Sequence, residues 1–469
     1  LGLTNRDVDG DFVIDGITAA GIENITLNTT GGTDGDITVT TFTAAAATAI
    51  TITGDADLTL SAFSTTVETL TAGTATGDLS VTFAGEDVTA RTGSGADTIA
   101  FGTSLNSEDT IDGGGGTDSL TVGAVATTAA VNIDLAISNI ERFTYTEAEA
   151  SEANATFDFN TDVVDRITVS ADNDAANTAT FEDIGSGNVD LYLSSSQGTA
   201  TDTVAIDRSS DTSSDSADVF ITNGSSATNS FTGTITLNDE ETITVDVTGG
   251  TGGAQVIADL DASDATSVTF TNDDTFNTAD IFSLTANSIK TGATIDFSGY
   301  GQDIGAPNVM AHTAGADGAA NTTGKIANAA AAMGTDGFTA VATGSYTIKL
   351  GDGRTGAHTT TINLGASNTG ADTIQFVNLS TDATNDIGIV VIDNFEDAAG
   401  AIVTNRSVLD FSAFAGIQQT SDLTLTTASL DDTEAVTVIT AAGSDADDFA
   451  GTITVLGVAS TSWAASADA

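Results

Sequence analysis

Apolar and polar residues alternate with a period of two along most of this chain. Asp36-Ile37-Thr38-Val39-Thr40, Ile50-Thr51-Ile52-Thr53, Leu79-Ser80-Val81-Thr82-Phe83 and Glu241-Thr242-Ile243-Thr244-Val245-Asp246-Val247 are examples. Residues two apart share one face of a strand, so the pattern predicts strands with one buried and one wet face. Clusters of Gly, Asn and Asp punctuate it every 8 to 15 residues and read as turns. The expected class is all-β, an elongated multi-domain array of short-strand β-sandwich or β-solenoid layers. One segment departs from it. Lys325 to Met333 carries a run of Ala before Gly334, which predicts one short helix near 325–333.

Weak internal repeats accompany the strands. Gly21-Ile22-Glu23-Asn24-Ile25-Thr26, Thr66-Val67-Glu68-Thr69-Leu70-Thr71 and Asn139-Ile140-Glu141-Arg142-Phe143-Thr144 share an apolar-Glu-x-apolar-Thr core, with a looser copy at Asp239–Thr244. Their uneven separations argue for a recurring strand-entry device in related layers, not a strict array. Gly95-Ala96-Asp97-Thr98-Ile99 recurs as Gly370-Ala371-Asp372-Thr373-Ile374, and Ile295-Asp296-Phe297-Ser298 as Leu409-Asp410-Phe411-Ser412. The stretch from about Gly301 to Gly344 holds the only Pro and both Met, and reads as an insertion or domain junction.

Composition narrows the possible partners. Among 469 residues there are 66 Asp or Glu and 10 Lys or Arg, a formal charge of -56. Phosphate binding needs a basic surface, so nucleic acid is not expected as a partner. The same charge opposes an anionic membrane face, and no run of 18 apolar residues exists to insert directly. Hydrophobic residues make up 40% and charged ones 16%, which is enough apolar material for a core and not a disordered acidic tail. The length predicts about three domains. With no Cys, disulfides, thiol catalysis and Cys-ligated metals are excluded. Leu1 in place of an initiator Met reads as the start of a processed or partial chain.

Candidate metal chemistry concentrates in two places. Between Thr92 and Val122, Gly93-Ser94-Gly95-Ala96-Asp97-Thr98-Ile99 and Gly113-Gly114-Gly115-Gly116-Thr117-Asp118-Ser119-Leu120 fit the nonapeptide G-G-x-G-x-D-x-U-x, with Asp109-Thr110-Ile111-Asp112 as a degenerate turn between them. Gly allows left-handed turns that present carbonyls, Asp adds a carboxylate, and calcium takes six to eight such oxygens. The candidate ligands are Gly93, Gly95, Asp97, Asp109, Asp112, Gly114, Gly116 and Asp118, with Asp372 in the later duplicate. The second place is Asn5-Arg6-Asp7-Val8-Asp9-Gly10-Asp11, the first half of an EF-type loop. Its ligands would be Asn5, Asp7, Asp9 and Asp11, with Asp15 replacing the missing twelfth-position Glu. A polar turn before a Val13-Ile14 strand is the competing explanation. Enzyme signals are poor: two His, no H-E-x-x-H and no G-x-S-x-G. No catalytic residue is assigned.

The Thr92–Val122 nonapeptides resemble the RTX (repeats-in-toxin) calcium motif. Gly370-Ala371-Asp372-Thr373-Ile374, Val391-Ile392-Asp393-Asn394-Phe395 and Val408-Leu409-Asp410-Phe411-Ser412-Ala413-Phe414 look like the C-terminal portion of type I secreted proteins. Together with the Thr, Ala and Gly richness, the chain is similar to RTX-containing surface-layer (S-layer) proteins of Gram-negative bacteria. This resemblance implies parallel β-roll turns, calcium as the bound ion, export by type I secretion and a calcium-dependent two-dimensional lattice on the cell surface. Its expected partners are further copies of the chain, calcium ions and cell-surface polysaccharide. The implied layout is N-terminal β layers with the loop candidate at 1–90, an RTX-like β-roll at 91–125 and a β-sandwich or β-solenoid region at 126–300. An insertion or junction at 301–366 and a C-terminal β domain at 367–469 complete it. A fragment of a large RTX adhesin or extracellular filament, or of a secreted RTX hydrolase, is the alternative. High-salt adaptation would also explain the acidity, though not the Gly-x-Gly-x-Asp-x-apolar spacing.

Overall fold

The structure, a computed structural model, describes residues 1–4, 11–31, 36–85, 87–123, 130–146, 153–160, 164–171, 177–195, 202–222, 233–248, 255–272, 281–290, 292–299, 303–304, 312–313, 325–326, 338–339, 346–351, 359–364, 372–377, 386–393, 395, 407–414, 417, 422–430, 434–441 and 449–456. The protein is all-β, a β-solenoid, and the described residues contain no α-helix. The contacts divide it into two units, Leu1–Asp215 and Ser216–Ala469. The boundary expected at 90/91 falls inside a strand, Thr89–Arg91.

In the N-terminal unit the chain alternates between two parallel sheets. Ala49–Gly54, Thr69–Ala75, Thr89–Arg91 and Thr110–Asp112 pair in one, while Leu58–Leu60, Leu79–Thr82, Thr98–Ala100 and Ser119–Val122 pair in the other. Parallel neighbours need a crossover, and here each crossover is the strand of the opposite sheet. One circuit makes a rung, and in-register stacking puts like residues above like. Val39, Leu60, Val81, Ile99, Leu120, Phe143, Ile167 and Leu191 form one inward column, all buried. Each side chain so buried stabilises by roughly 1.5–3 kcal/mol. A second stack consists of rings: Phe42–Phe63, Phe63–Phe83 and Phe83–Phe101 have centroids 5.9, 5.2 and 5.1 Å apart. After these rungs a third sheet takes over, with Val131–Asp134, Ala155–Asp158 and Thr178–Ile184 paired in parallel.

The strand-entry repeats now have an address. Glu23 and Glu68 precede Asn24–Thr30 and Thr69–Ala75 of the same sheet, two rungs apart, with Ala49–Gly54 between them. Glu141 precedes Arg142–Thr146 of the opposite sheet. Their spacing is uneven because the rungs differ in length and Glu141 opens a strand of the other sheet.

The C-terminal unit continues the parallel pattern through Thr242–Thr248, Ser267–Asn272, Thr294–Phe297, Thr347–Gly351, Thr373–Val377 and Val408–Asp410. Thr294 pairs with Thr347, a step of 53 residues, whereas Ser267 pairs with Thr294, a step of 27. The longer step leaves residues 298–346 between two paired strands. The helix expected near 325–333 is not borne out at its start: Lys325–Ile326 is a strand, antiparallel to His312–Thr313. Pairing to a neighbour overrides the local helix preference of an Ala-rich run. Residues 327–333 lie outside the described residues. Near the C-terminus the ladder reverses, with Leu423–Leu430, Glu434–Ala441 and Ala450–Leu456 pairing antiparallel.

Candidate metal centre

The Gly-rich turns sit where an inward column changes character. Ile37, Leu58 and Leu79 stack in register and are buried. The next three rungs put Asp97, Asp118 and Glu141 in the same column, each one residue ahead of its paired strand. Asp97 and Asp118 are 1% and 0% exposed. Asp165 follows at the surface, ahead of Arg166.

Burying carboxylates demands partners, and the turns supply main-chain N–H groups. Leu79 N–H donates to Asp97 Oδ1 at 2.7 Å, and Gly93 N–H donates to Oδ2 at 3.1 Å. Asp97 N–H donates to Asp118 Oδ1, and Asp118 N–H to Glu141 Oε2, both at 2.7 Å. Each carboxylate thus caps a neighbouring rung. The other candidates work alike. Asp109 accepts from Val88 N–H at 2.6 Å and Asn106 N–H at 2.8 Å. Buried Asp372 accepts from Tyr346 N–H at 2.9 Å, so the duplicated Gly-Ala-Asp-Thr-Ile marks one device used twice. Asp112 accepts from Gly114 N–H and Asn139 Nδ2, and its other oxygen lies 3.3 Å from Arg91 Nε.

The glycines are there for close approach. Gly114 and Gly116 adopt φ of +86° and +126°, and a Cβ on either would stand 2.1 and 2.0 Å from the carbonyl oxygens of Gly93 and Gly95. A Cβ on Gly93 would meet Ala75 O at 2.1 Å, and one on Gly95 would meet Asp78 Oδ1 at 2.7 Å. The carbonyl of Gly93 accepts from Gly115 N–H at 2.9 Å. It is therefore engaged in holding rungs together.

One atom breaks the pattern. Asp118 Oδ2 is buried without any hydrogen-bond partner. Burial, then the charges of Asp97, Glu141 and Asp78, raise the Asp118 carboxyl to about 7, against the opposing hydrogen bond from Asp97. Burial also raises Asp97. One such unsatisfied anion, among carboxylates, is the feature a bound cation would resolve. Within the N-terminal unit, no three described His, Asp or Glu side chains bring ligand atoms within 4.8 Å of one another. A cation held here would therefore take main-chain carbonyls as well.

At the N-terminus, Asp11 and Asp15 are exposed beside the strand Phe12–Ile14, while Asn5, Asp7 and Asp9 lie outside the described residues. Sequence reasoning gave Asp36 only as a weaker candidate and passed over Asp57 and Asp78; these three form a neighbouring column, one residue out of register with Asp97, Asp118 and Glu141. Asp57 accepts from Asp78 N–H at 2.7 Å, and Asp78 from Ala96 N–H at 2.6 Å. Burial raises Asp57, with the charges of Asp78 and Asp36 adding to it against the Asp78 hydrogen bond. The signal was present: an acid immediately ahead of an alternating strand, at 36, 57, 78, 97, 118, 141 and 165. Comparison of the chain with family models, with curated proteins and with solved structures finds no match.

Proposed function

We propose that this protein is a non-catalytic, calcium-stabilised structural β-solenoid, exported by type I secretion, that assembles into a two-dimensional S-layer on the cell surface. The observation that carries the calcium reading is the buried, unpartnered Oδ2 of Asp118 in a file of carboxylates at Gly-rich turns. The surface-layer reading rests on the resemblance of the Thr92–Val122 turns to RTX repeats, and the β-solenoid fold is compatible with it. Calcium would supply positive charge and several coordination positions to the unpartnered Asp118 Oδ2. Extracellular calcium modules bind at roughly 10⁻⁴–10⁻³ M. Such sites would stay empty in a cytosol and fill outside, which suits a chain exported unfolded. At tenfold excess over Kd each site would add about 1.4 kcal/mol.

Metal quantification beside electron microscopy, with and without chelator, tests the proposal. Bound calcium and a lattice that dissolves in chelator are expected. Isolated rods in calcium would point to an adhesin or filament instead, and assembly indifferent to chelation would refute calcium dependence.

A further inference from the structure

We infer that Glu141 and the main-chain carbonyl of Asn139 complete a calcium site on Asp118, one rung beyond the Gly-rich turns. This rests on the calcium reading above but moves its ligands. The turn carboxylates of Asp97, Asp109 and Asp112 already accept main-chain N–H groups on both oxygens or hold Arg91. Asp118 Oδ2 does neither, and is sealed from water.

The rung that covers it is Asn139-Ile140-Glu141. Asn139 sits in the left-handed region at φ 54°, with its side chain donating to Asp112 Oδ1 at 2.7 Å. Non-glycine residues adopt that conformation at a cost, and Asn is among those that tolerate it. The result is a carbonyl aimed at Gly113. Measured from where a Gly113 Cβ would stand, Asn139 O lies at 2.1 Å and Asp118 Oδ2 at 2.7 Å. Any side chain on Gly113 would therefore collide with both oxygens. The Glu141 carboxylate reaches the same rung, because its Oε2 accepts the Asp118 N–H. Two carboxylates and a carbonyl from a turn are hard oxygen donors without imposed geometry, which favours calcium over the strict octahedron of magnesium. The Ile-Glu strand start thus has a second use here that Glu68, exposed on the opposite sheet, does not share.

Calcium titration of the metal-stripped full chain by calorimetry tests this, with Glu141→Gln beside Glu68→Gln. Loss of one equivalent, or a tenfold or greater weakening, in Glu141→Gln with Glu68→Gln unchanged is expected. Unaltered binding by Glu141→Gln overturns the site while leaving calcium binding elsewhere intact. No uptake by the unsubstituted chain defeats the calcium reading as well. Carbodiimide labelling of the unsubstituted protein, read by peptide mass spectrometry, avoids any folding defect of the variant. Calcium should shield Glu141 and not Glu68; equal labelling of Glu141 with and without calcium refutes the site.

Discussion

Replacing Asp118 by Asn isolates the cost of the buried charge. The side chain keeps its volume, and its Oδ1 still accepts the Asp97 N–H, so only the charge and the second acceptor change. In the folded, metal-free chain the Asp118 carboxyl stands at about 7, raised first by burial and then by Asp97, Glu141 and Asp78. An unfolded Asp titrates near 3.9, and one unit of difference is 1.36 kcal/mol, so full ionisation costs the fold about 4 kcal/mol as a ceiling. Because the folded state holds the proton more tightly, this cost is absent below about pH 3.9, grows as pH rises and is complete above about 7. Thermal melts in chelator at pH 5 and pH 8 measure it. Asp118→Asn should melt higher than the unsubstituted chain at pH 8, by up to about 10 °C for a unit of this size, and by only about a third as much at pH 5. Calcium at pH 8 should raise the unsubstituted chain by more than it raises Asp118→Asn. A variant that in chelator at pH 8 melts at or below the unsubstituted chain would refute the reasoning.

Two packing predictions accompany it. Gly116→Ala should destabilise by about 2 kcal/mol or more, since its φ is +126° and Gly95 O leaves no room for a Cβ. Gly115→Ala meets nothing within 4 Å and should stay within about 0.5 kcal/mol, so equal denaturation midpoints for the two would contradict the stacked-turn account. Phe83→Ala opens the ring stack between Phe63 and Phe101 and should cost about 3–5 kcal/mol in urea unfolding, with a loss under 1 kcal/mol excluding that packing.

Much of the fold was legible because strand alternation is local. Ile37-Thr38-Val39 and Leu79-Ser80-Val81-Thr82 are strands, buried and half-buried in the order their pattern predicts. The solenoid period was harder to see, since rung length varies with the loops. It is nonetheless written in the acids at 36, 57, 78, 97, 118, 141 and 165, whose intervals run from 19 to 24 residues. Lys325–Ile326 misled because an Ala-rich run favours a helix locally, and only a distant partner makes it a strand.

The sequence by itself determined that the chain is β-structured, acidic beyond internal pairing, free of thiol chemistry and marked by Gly-x-Gly-x-Asp turns. Those properties follow from side-chain type and short-range spacing. Only the tertiary structure decided what each turn carboxylate does. Parallel stacking brings N–H groups from rungs about twenty residues apart onto Asp97, Asp109 and Asp372, and Arg91 onto Asp112. It leaves Asp118 Oδ2 without a partner, while the rung that follows brings the Asn139 carbonyl to the same side of Gly113 and the Glu141 carboxylate onto the Asp118 N–H. Which oxygens remain free depends on register between distant segments, and no local pattern records register.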